Sequence, residues 1–292
     1  MELVSDRIPK ITMETLIERY DILLFDAYGV LVHSTGALPG AIELIDRLNQ
    51  IGKTYYILTN DASKLPETAA TRYQDYGLDF GADRIISSGG LLYPYFVTHH
   101  LTGSNCIVLG PVDSVRYVEQ AGGKIVAPGD SFDVLVIADE AGYPFFETAD
   151  RVFTSLCRSL DLGRSVHLVL PNPDLIYPKS DRGLGFTAGS IAAMFEAALS
   201  MRYPDLTDLR FVRLGKPHTA LFEEAFSRSG TRNMVMIGDQ LETDIKGAQT
   251  FGIDAVWIET GVMTKLLETV PDESMRPTYC LRSIKVQNKL TH

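Results

Sequence analysis

Four short segments carry residue types that can act on a phosphate or an activated carbon. The first is Ile22-Leu-Leu-Phe-Asp26-Ala-Tyr28-Gly29, an apolar run that ends in an acid and then a glycine. A carboxylate so placed can attack phosphorus or carbon, or bind a metal; an Asp that caps the next turn fits equally well. The second is Tyr55-Tyr-Ile-Leu-Thr59-Asn60-Asp61. Thr59 could donate its hydroxyl to a phosphate oxygen, with N–H groups of the following turn adding to it. An ordinary turn or helix cap also explains Thr-Asn. The third is Leu214-Gly215-Lys216-Pro217-His218. A lysine whose backbone is fixed by glycine and proline can neutralise a phosphate and an attacking carboxylate together. Its alternative is a solvated lysine beside a helix start, with Pro217 at the first helical position. The fourth is Met234-Val-Met-Ile-Gly238-Asp239, with Asp244 further on. Two such carboxylates suit a hard cation that keeps several waters, as Mg²⁺ does, and Asp239 alone could cap a helix.

Elements must hold these residues. Apolar runs recur at Ile22–Phe25, Tyr55–Leu58, Cys106–Leu109, Val134–Ile137, Val166–Leu170, Met234–Ile237 and Ala255–Ile258. Each is strand-length and lacks polar alternation, as expected where both faces of a sheet are covered. Helical patterns lie between them: Ile42, Leu44, Ile45 and Leu48; then Ile191, Met194, Phe195 and Leu199; then Thr219–Phe226. This alternation predicts an α/β fold with mainly parallel sheets, in which ligands sit beyond the carboxyl ends of the strands. Turn signals at Pro128-Gly129, Pro171-Asn-Pro173 and Tyr203-Pro204 are short. A second domain is therefore expected as an insertion between strands.

With 292 residues, 45% of them hydrophobic, the chain can bury one large core or two smaller ones. Lys and Arg number 27 against 37 Asp and Glu, a formal charge of −10. That surface repels a phosphate backbone, so nucleic acid is not an expected partner. No apolar run approaches the ~20 residues of a membrane span. Met1–Lys10 has no apolar secretory core. The three cysteines, Cys106, Cys157 and Cys280, have neither zinc spacing nor a disulfide pattern, which fits a reducing cytoplasm.

In the order Asp, Thr-Asn, Gly-Lys-Pro and Gly-Asp-x4-Asp, each motif ending an apolar run or following one, the chain resembles the haloacid dehalogenase-like (HAD) hydrolase superfamily. It is most similar to the class II-A branch that includes p-nitrophenyl phosphatases and sugar-phosphate phosphatases. The resemblance runs from Asp26 to about Val262 and takes in Ile85–Gly90, Asn172-Pro-Asp174 and Tyr177-Pro178. It implies a Rossmann-like core with a parallel sheet plus an inserted α/β cap. The expected division is core over 1–90, cap over 91–208 and core again over 209–292. It implies a phosphatase of a small phosphorylated metabolite, in which Asp26 forms an aspartyl-phosphate. Mg²⁺ would be held by Asp26, the Tyr28 backbone carbonyl and Asp239, with Asp244 supporting its water shell. Thr59, Asn60 and Lys216 would grip the phosphoryl group. Asn172 and Asp174 could contact substrate, or form a turn. Homodimers through the cap are common in this branch.

The chain departs from the branch at one residue. Its phosphatases read Asp-x-Asp where this chain reads Asp26-Ala27-Tyr28. The second Asp protonates the leaving group and activates water. A phenol of pKa about 10 can donate a hydrogen bond but is a poor base at neutral pH. Three readings follow: an already acidic leaving group, a substitute such as His33, or binding of a phosphometabolite without efficient turnover. Asp-Ala-Tyr-Gly also resembles the first motif of the 2-haloacid dehalogenases, which use no metal, but Asp239 and Asp244 are acids that such an enzyme does not need. Elsewhere, His99-His100 reads as a solvated helix end, His218 as a first-turn residue and Trp257 as core. Arg182 could meet an anionic substrate tail, and the small residues after Thr187 could start a helix suited to an anion.

Overall fold

The structure, a computed structural model, describes residues 8–179, 183–259 and 273–286. Arg182 and Met1–Arg7 lie outside the described residues. The chain forms two compact units. The first comprises residues 1–59, 66–86 and 216–292, and the second 60–65 and 87–215. Among the described residues, no helix is long and apolar enough to cross a membrane.

The first unit is built on a seven-stranded sheet. Its strands in chain order are β1 (Lys10–Ile11), β2 (Ile22–Phe25), β5 (Thr54–Thr59), β6 (Ile85–Ser87), β14 (Met234–Gly238), β15 (Asp254–Ile258) and β16 (Tyr279–Leu281). Across the sheet the order is β1-β16-β15-β14-β2-β5-β6, and the neighbours from β1 to β5 run parallel. A small antiparallel hairpin, β3 (Val32–His33) with β4 (Gly36–Ala37), follows β2. The helices are α1 (Met13–Arg19), α2 (Ala41–Gln50), α3 (Pro66–Asp75), α8 (Ala220–Ser229) and α9 (Lys246–Phe251). Every residue of β2 and β14 is buried, which is why these runs show no polar alternation. On α2 the buried face is Ala41, Leu44, Ile45 and Leu48, at i, i+3, i+4 and i+7. Ile42, expected on that face, is exposed, because a residue one step from Ala41 turns about 100° away.

The second unit carries its own five-stranded parallel sheet. Its strands are β7 (Asn105–Leu109), β8 (Lys124–Ile125), β9 (Val134–Ile137), β10 (His167–Leu170) and β13 (Val212–Arg213), ordered β13-β10-β9-β7-β8. A hairpin of β11 (Ile176–Pro178) and β12 (Leu184–Phe186) stands apart from it. The helices are α4 (Leu92–Thr98), α5 (Val112–Gln120), α6 (Phe145–Asp161) and α7 (Ala188–Arg202). Val152 and Leu156 of α6 and Ile191, Phe195 and Leu199 of α7 share one core with Leu135 and Ile137 of β9. Met194, expected on that face of α7, is exposed. His99 ends α4 as its cap and His100 follows with φ 56°, so the His pair lies past the helix end.

Just beyond β9, burial pushes the Asp139 carboxyl up to about 6, with Glu140 and Asp61 adding to the rise and Lys64 opposing it. Such an acid holds its proton more tightly in the folded than in the unfolded chain. Its contribution therefore favours folding at low pH and is lost as pH rises from about 4, the ordinary carboxylate value, toward 6. Asn at this position keeps an oxygen for the Ala141 N–H, which donates to Asp139 Oδ1 at 3.0 Å. Asp139→Asn is expected to raise the melting temperature at pH 8 by about 2 °C or more and to leave it unchanged at pH 3.5, as measured by calorimetry.

Candidate active site

Three acids and one lysine meet in the first unit at the carboxyl ends of adjacent strands. Asp26 directly follows β2, and its N–H donates to the Ile237 carbonyl of β14 at 2.9 Å. Asp239 directly follows β14, and Asp244 lies in the π-helical turn Leu241–Ile245 that comes next. Lys216, from the segment before α8, donates from Nζ to Asp26 Oδ1 at 2.6 Å and Asp244 Oδ1 at 2.7 Å. Its third bond goes to the Leu58 carbonyl on β5, at 3.0 Å. All four side chains are buried: Lys216 is 2% exposed, Asp26 6%, Asp239 1% and Asp244 0%. Thr59, also buried, ends β5 on the other side of β2. The solvated-lysine alternative fails for this reason, and α8 begins at Ala220 rather than at Pro217. Asp239 makes no helix cap either, since Gln240 occupies that position.

Two glycines make room for the acids. At Gly29, with φ 89°, a Cβ would stand 2.2 Å from Asp239 Oδ2. At Gly238 a Cβ would stand 2.3 Å from the Asp244 side chain. Trp257, core as expected, also donates from its indole N–H to the Asp239 carbonyl at 3.1 Å, pinning the backbone past β14.

The electrostatics are unbalanced. Burial pushes the Asp26 carboxyl well above the usual range; Lys216 opposes this, and Asp244 and Asp239 add to it. Burial works against the Lys216 ammonium, but the Asp244 and Asp26 carboxylates outweigh it and raise its pKa. One ammonium among three buried carboxylates leaves a surplus of negative charge that a cation would offset. Oxygen atoms of Asp26, Asp239 and Asp244 all lie within 4.8 Å of one another. An all-carboxylate set of hard donors fits a divalent cation such as Mg²⁺.

Asn60, Asn172 and Asp174 gather as a cluster within the second unit. Asn60 Nδ2 donates to Asp174 Oδ1 at 2.9 Å. The Asp174 N–H donates to Asn172 Oδ1 at 3.0 Å, which makes Asn-Pro-Asp an Asx turn. Asn172 Nδ2 reaches Thr187 Oγ1 at 3.3 Å. Tyr28 is half-buried, with the Arg72 guanidinium 5.6 Å from its ring centroid. His33 is exposed, and its Nδ1 accepts from the Thr35 N–H and bonds the Thr35 hydroxyl. Sequence reasoning missed the Leu58 carbonyl, a backbone acceptor without a side-chain signal. It also missed Arg72, whose partner Tyr28 lies far from it in the chain.

Gly29→Ala is expected to lower stability by more than the ~1–2 kcal/mol that a left-handed residue costs, because the new methyl must displace the Asp239 carboxylate. Urea denaturation measures it, with Gly252→Ala, where φ is 84° and a Cβ meets nothing within 4 Å, as the control for strain alone.

Comparison with known proteins bears on the family and the fold. A family described as haloacid dehalogenase-like hydrolase matches residues 23–124, and one described as HAD-hydrolase-like matches 213–286. The acid sugar phosphatase of Staphylococcus aureus is 24% identical over 92% of this chain and 96% of its own length. Among solved structures, a possible sugar phosphatase of the HAD superfamily from Cytophaga hutchinsonii superposes with a TM-score of 0.83 at 28% identity. That match covers 96% of this chain and 99% of the other. The fold is shared with a Mycobacterium tuberculosis glycerol phosphate phosphatase crystallised with magnesium: TM-score 0.76, 23% identity, 91% of this chain and 76% of that one. The motifs, the parallel sheet and these matches lead to one statement of kinship: the chain belongs to the haloacid dehalogenase-like hydrolases.

Proposed function

We propose that the chain is a Mg²⁺-dependent phosphatase of a small phosphorylated metabolite, with a sugar phosphate as the first class to test. The observation that carries this reading is the buried Lys216 ammonium bound to both Asp26 and Asp244. The sugar-phosphate class rests on the relatives, an acid sugar phosphatase and a possible sugar phosphatase. Asp26 is the nucleophile: a carboxylate oxygen bonds to phosphorus as the bond to the leaving oxygen breaks, and water then hydrolyses the aspartyl-phosphate. Lys216 keeps its charge near both Asp26 and the incoming phosphoryl oxygens. Thr59 donates its hydroxyl to that group. Asp26, the Tyr28 carbonyl, Asp239 and Asp244 would hold Mg²⁺, which when bound offsets the repulsion between phosphate and carboxylate. The second unit would serve as the cap that excludes water and selects the leaving group, with Asn60, Asn172 and Asp174 as its candidate contacts. A homodimer through that unit belongs to the same reading, as does a cytoplasmic setting, which the three buried, unpaired cysteines fit.

Tyr28 favours a second reading. Without a positioned acid–base group the rate falls by about 10²–10⁴, which would leave a protein that binds a phosphometabolite and barely turns it over. Metal-free dehalogenation is the weakest reading, given the two further buried acids.

Turnover of p-nitrophenyl phosphate by the purified chain, with and without Mg²⁺, tests the proposal. Mg²⁺-dependent turnover that disappears in Asp26→Asn is expected. A fold stabilised by Mg²⁺ with beryllofluoride, but without turnover, would favour the binding reading. Tyr28→Asp is expected to raise kcat by about tenfold or more if the missing acid limits the rate. A folded, Mg²⁺-binding variant that is no faster would remove that explanation.

A further inference from the structure

Arg72 has an unusual setting within the first unit. It lies on α3 and is half-buried, yet among the described residues it enters no ion pair. Its guanidinium stands 5.6 Å from the ring centroid of Tyr28 and 5.5 Å from that of Tyr76. Its Nε donates to the Tyr76 hydroxyl at 3.0 Å, and that hydroxyl donates to the Ser34 carbonyl at 3.4 Å. A planar guanidinium can stack on aromatic faces while donating in its own plane; an ammonium cannot do both.

Both ends of this arrangement fall on one stretch of chain. Tyr28 lies two residues past Asp26, and Ser34 sits at the turn of the β3–β4 hairpin. Between them the Gly29 N–H donates to the Val32 carbonyl, and the Leu31 and Val32 N–H groups donate to the Ala27 carbonyl. These bonds close a tight loop onto itself, and Val30, Leu31 and Val32 bury their side chains in the core of the unit. Arg72 and Tyr76 add a polar tie from α3, at the Tyr28 ring and at the hairpin turn.

We infer that Arg72 is a positioning residue: with Tyr76 it clamps the Tyr28–Ala37 segment that follows the nucleophile, gripping it through the Tyr28 ring. This inference rests on the phosphatase reading, because the clamp matters for catalysis only if Asp26 and the Tyr28 carbonyl work there. It also gives the Tyr28 ring a use beside that of its backbone carbonyl: a face for the Arg72 guanidinium.

Hydrogen–deuterium exchange on the full chain tests the clamp without substrate. Arg72→Met is expected to speed exchange across residues 28–37 about fivefold, the scale of one cation–π contact, while leaving the second unit unchanged. Arg72→Lys restores part of the protection, and Tyr28→Leu, which removes the ring, speeds exchange as Arg72→Met does. With p-nitrophenyl phosphate, Arg72→Met is expected to lower kcat about fivefold with KM within about twofold. Unchanged exchange at 28–37 in Arg72→Met overturns the inference. So does faster exchange with unchanged kcat, which would make Arg72 a stabilising residue only. If the wild type shows no Asp26-dependent turnover, the phosphatase reading fails, and exchange alone still accepts or rejects the clamp.

Discussion

The first unit is organised around one buried ammonium. Lys216 Nζ donates to the Asp26 and Asp244 carboxylates and to the Leu58 carbonyl, and its side chain is withdrawn from water. A buried charge without partners is costly by several kcal/mol, so these bonds need good geometry to form at all. That requirement reaches outward. Asp26 must leave β2 and Leu58 must sit on β5, while Asp244 must return over the end of β14. The three strands are therefore held as neighbours by the sheet ladder and by the charge at its end. Truncating the lysine would leave two carboxylates facing each other, and truncating either acid would leave the ammonium half-paired.

The acids also constrain the backbone. Gly29 and Gly238 stand where a side chain would overlap Asp239 and Asp244. The motif Gly238-Asp239 is thus a packing statement as much as a chemical one. The glycine lets the π-helical turn fold back over the strand end, and the aspartate then projects beside Asp26. Trp257, from the next strand, fixes the same junction through its indole. An aromatic side chain can serve the core and a polar backbone group together in this way because its apolar body carries one polar edge.

Much of this was legible in the sequence. Each apolar run became a strand, because burial on both faces of a parallel sheet makes a strand a short, continuous apolar stretch. Asp26, Asp239 and Asp244 were visible because they follow those runs, and Lys216 because a glycine and a proline flank it. The amphipathic faces of α2 and α7 were legible only in part: Ile42 and Met194 are apolar but exposed, and Ala41 and Ala192 are small but buried. Hydrophobicity alone does not mark a face where alanine carries part of it. The Leu58 carbonyl and the Arg72–Tyr28 stack were not legible. One involves no side chain of the acceptor, and the other joins an arginine in a helix of polar composition to a residue more than forty positions earlier. The β3–β4 hairpin was too short to leave a periodic signal.

The parallel order β14-β2-β5 has a consequence for how the chain is made. The interior strand β2 is complete at Phe25, but its neighbour β14 begins only at Met234. At the roughly 5–20 residues per second of synthesis, one edge of β2 waits on the order of 10–40 s for its partner. During that time a fully apolar strand presents unpaired N–H and carbonyl groups, the kind of edge that recruits other chains. The second unit, whose strands all fall between those two positions, can finish its own sheet first. On this order the middle of the chain can fold while the strand that leads into Asp26 is still open, and β14 to β16 close the sheet last.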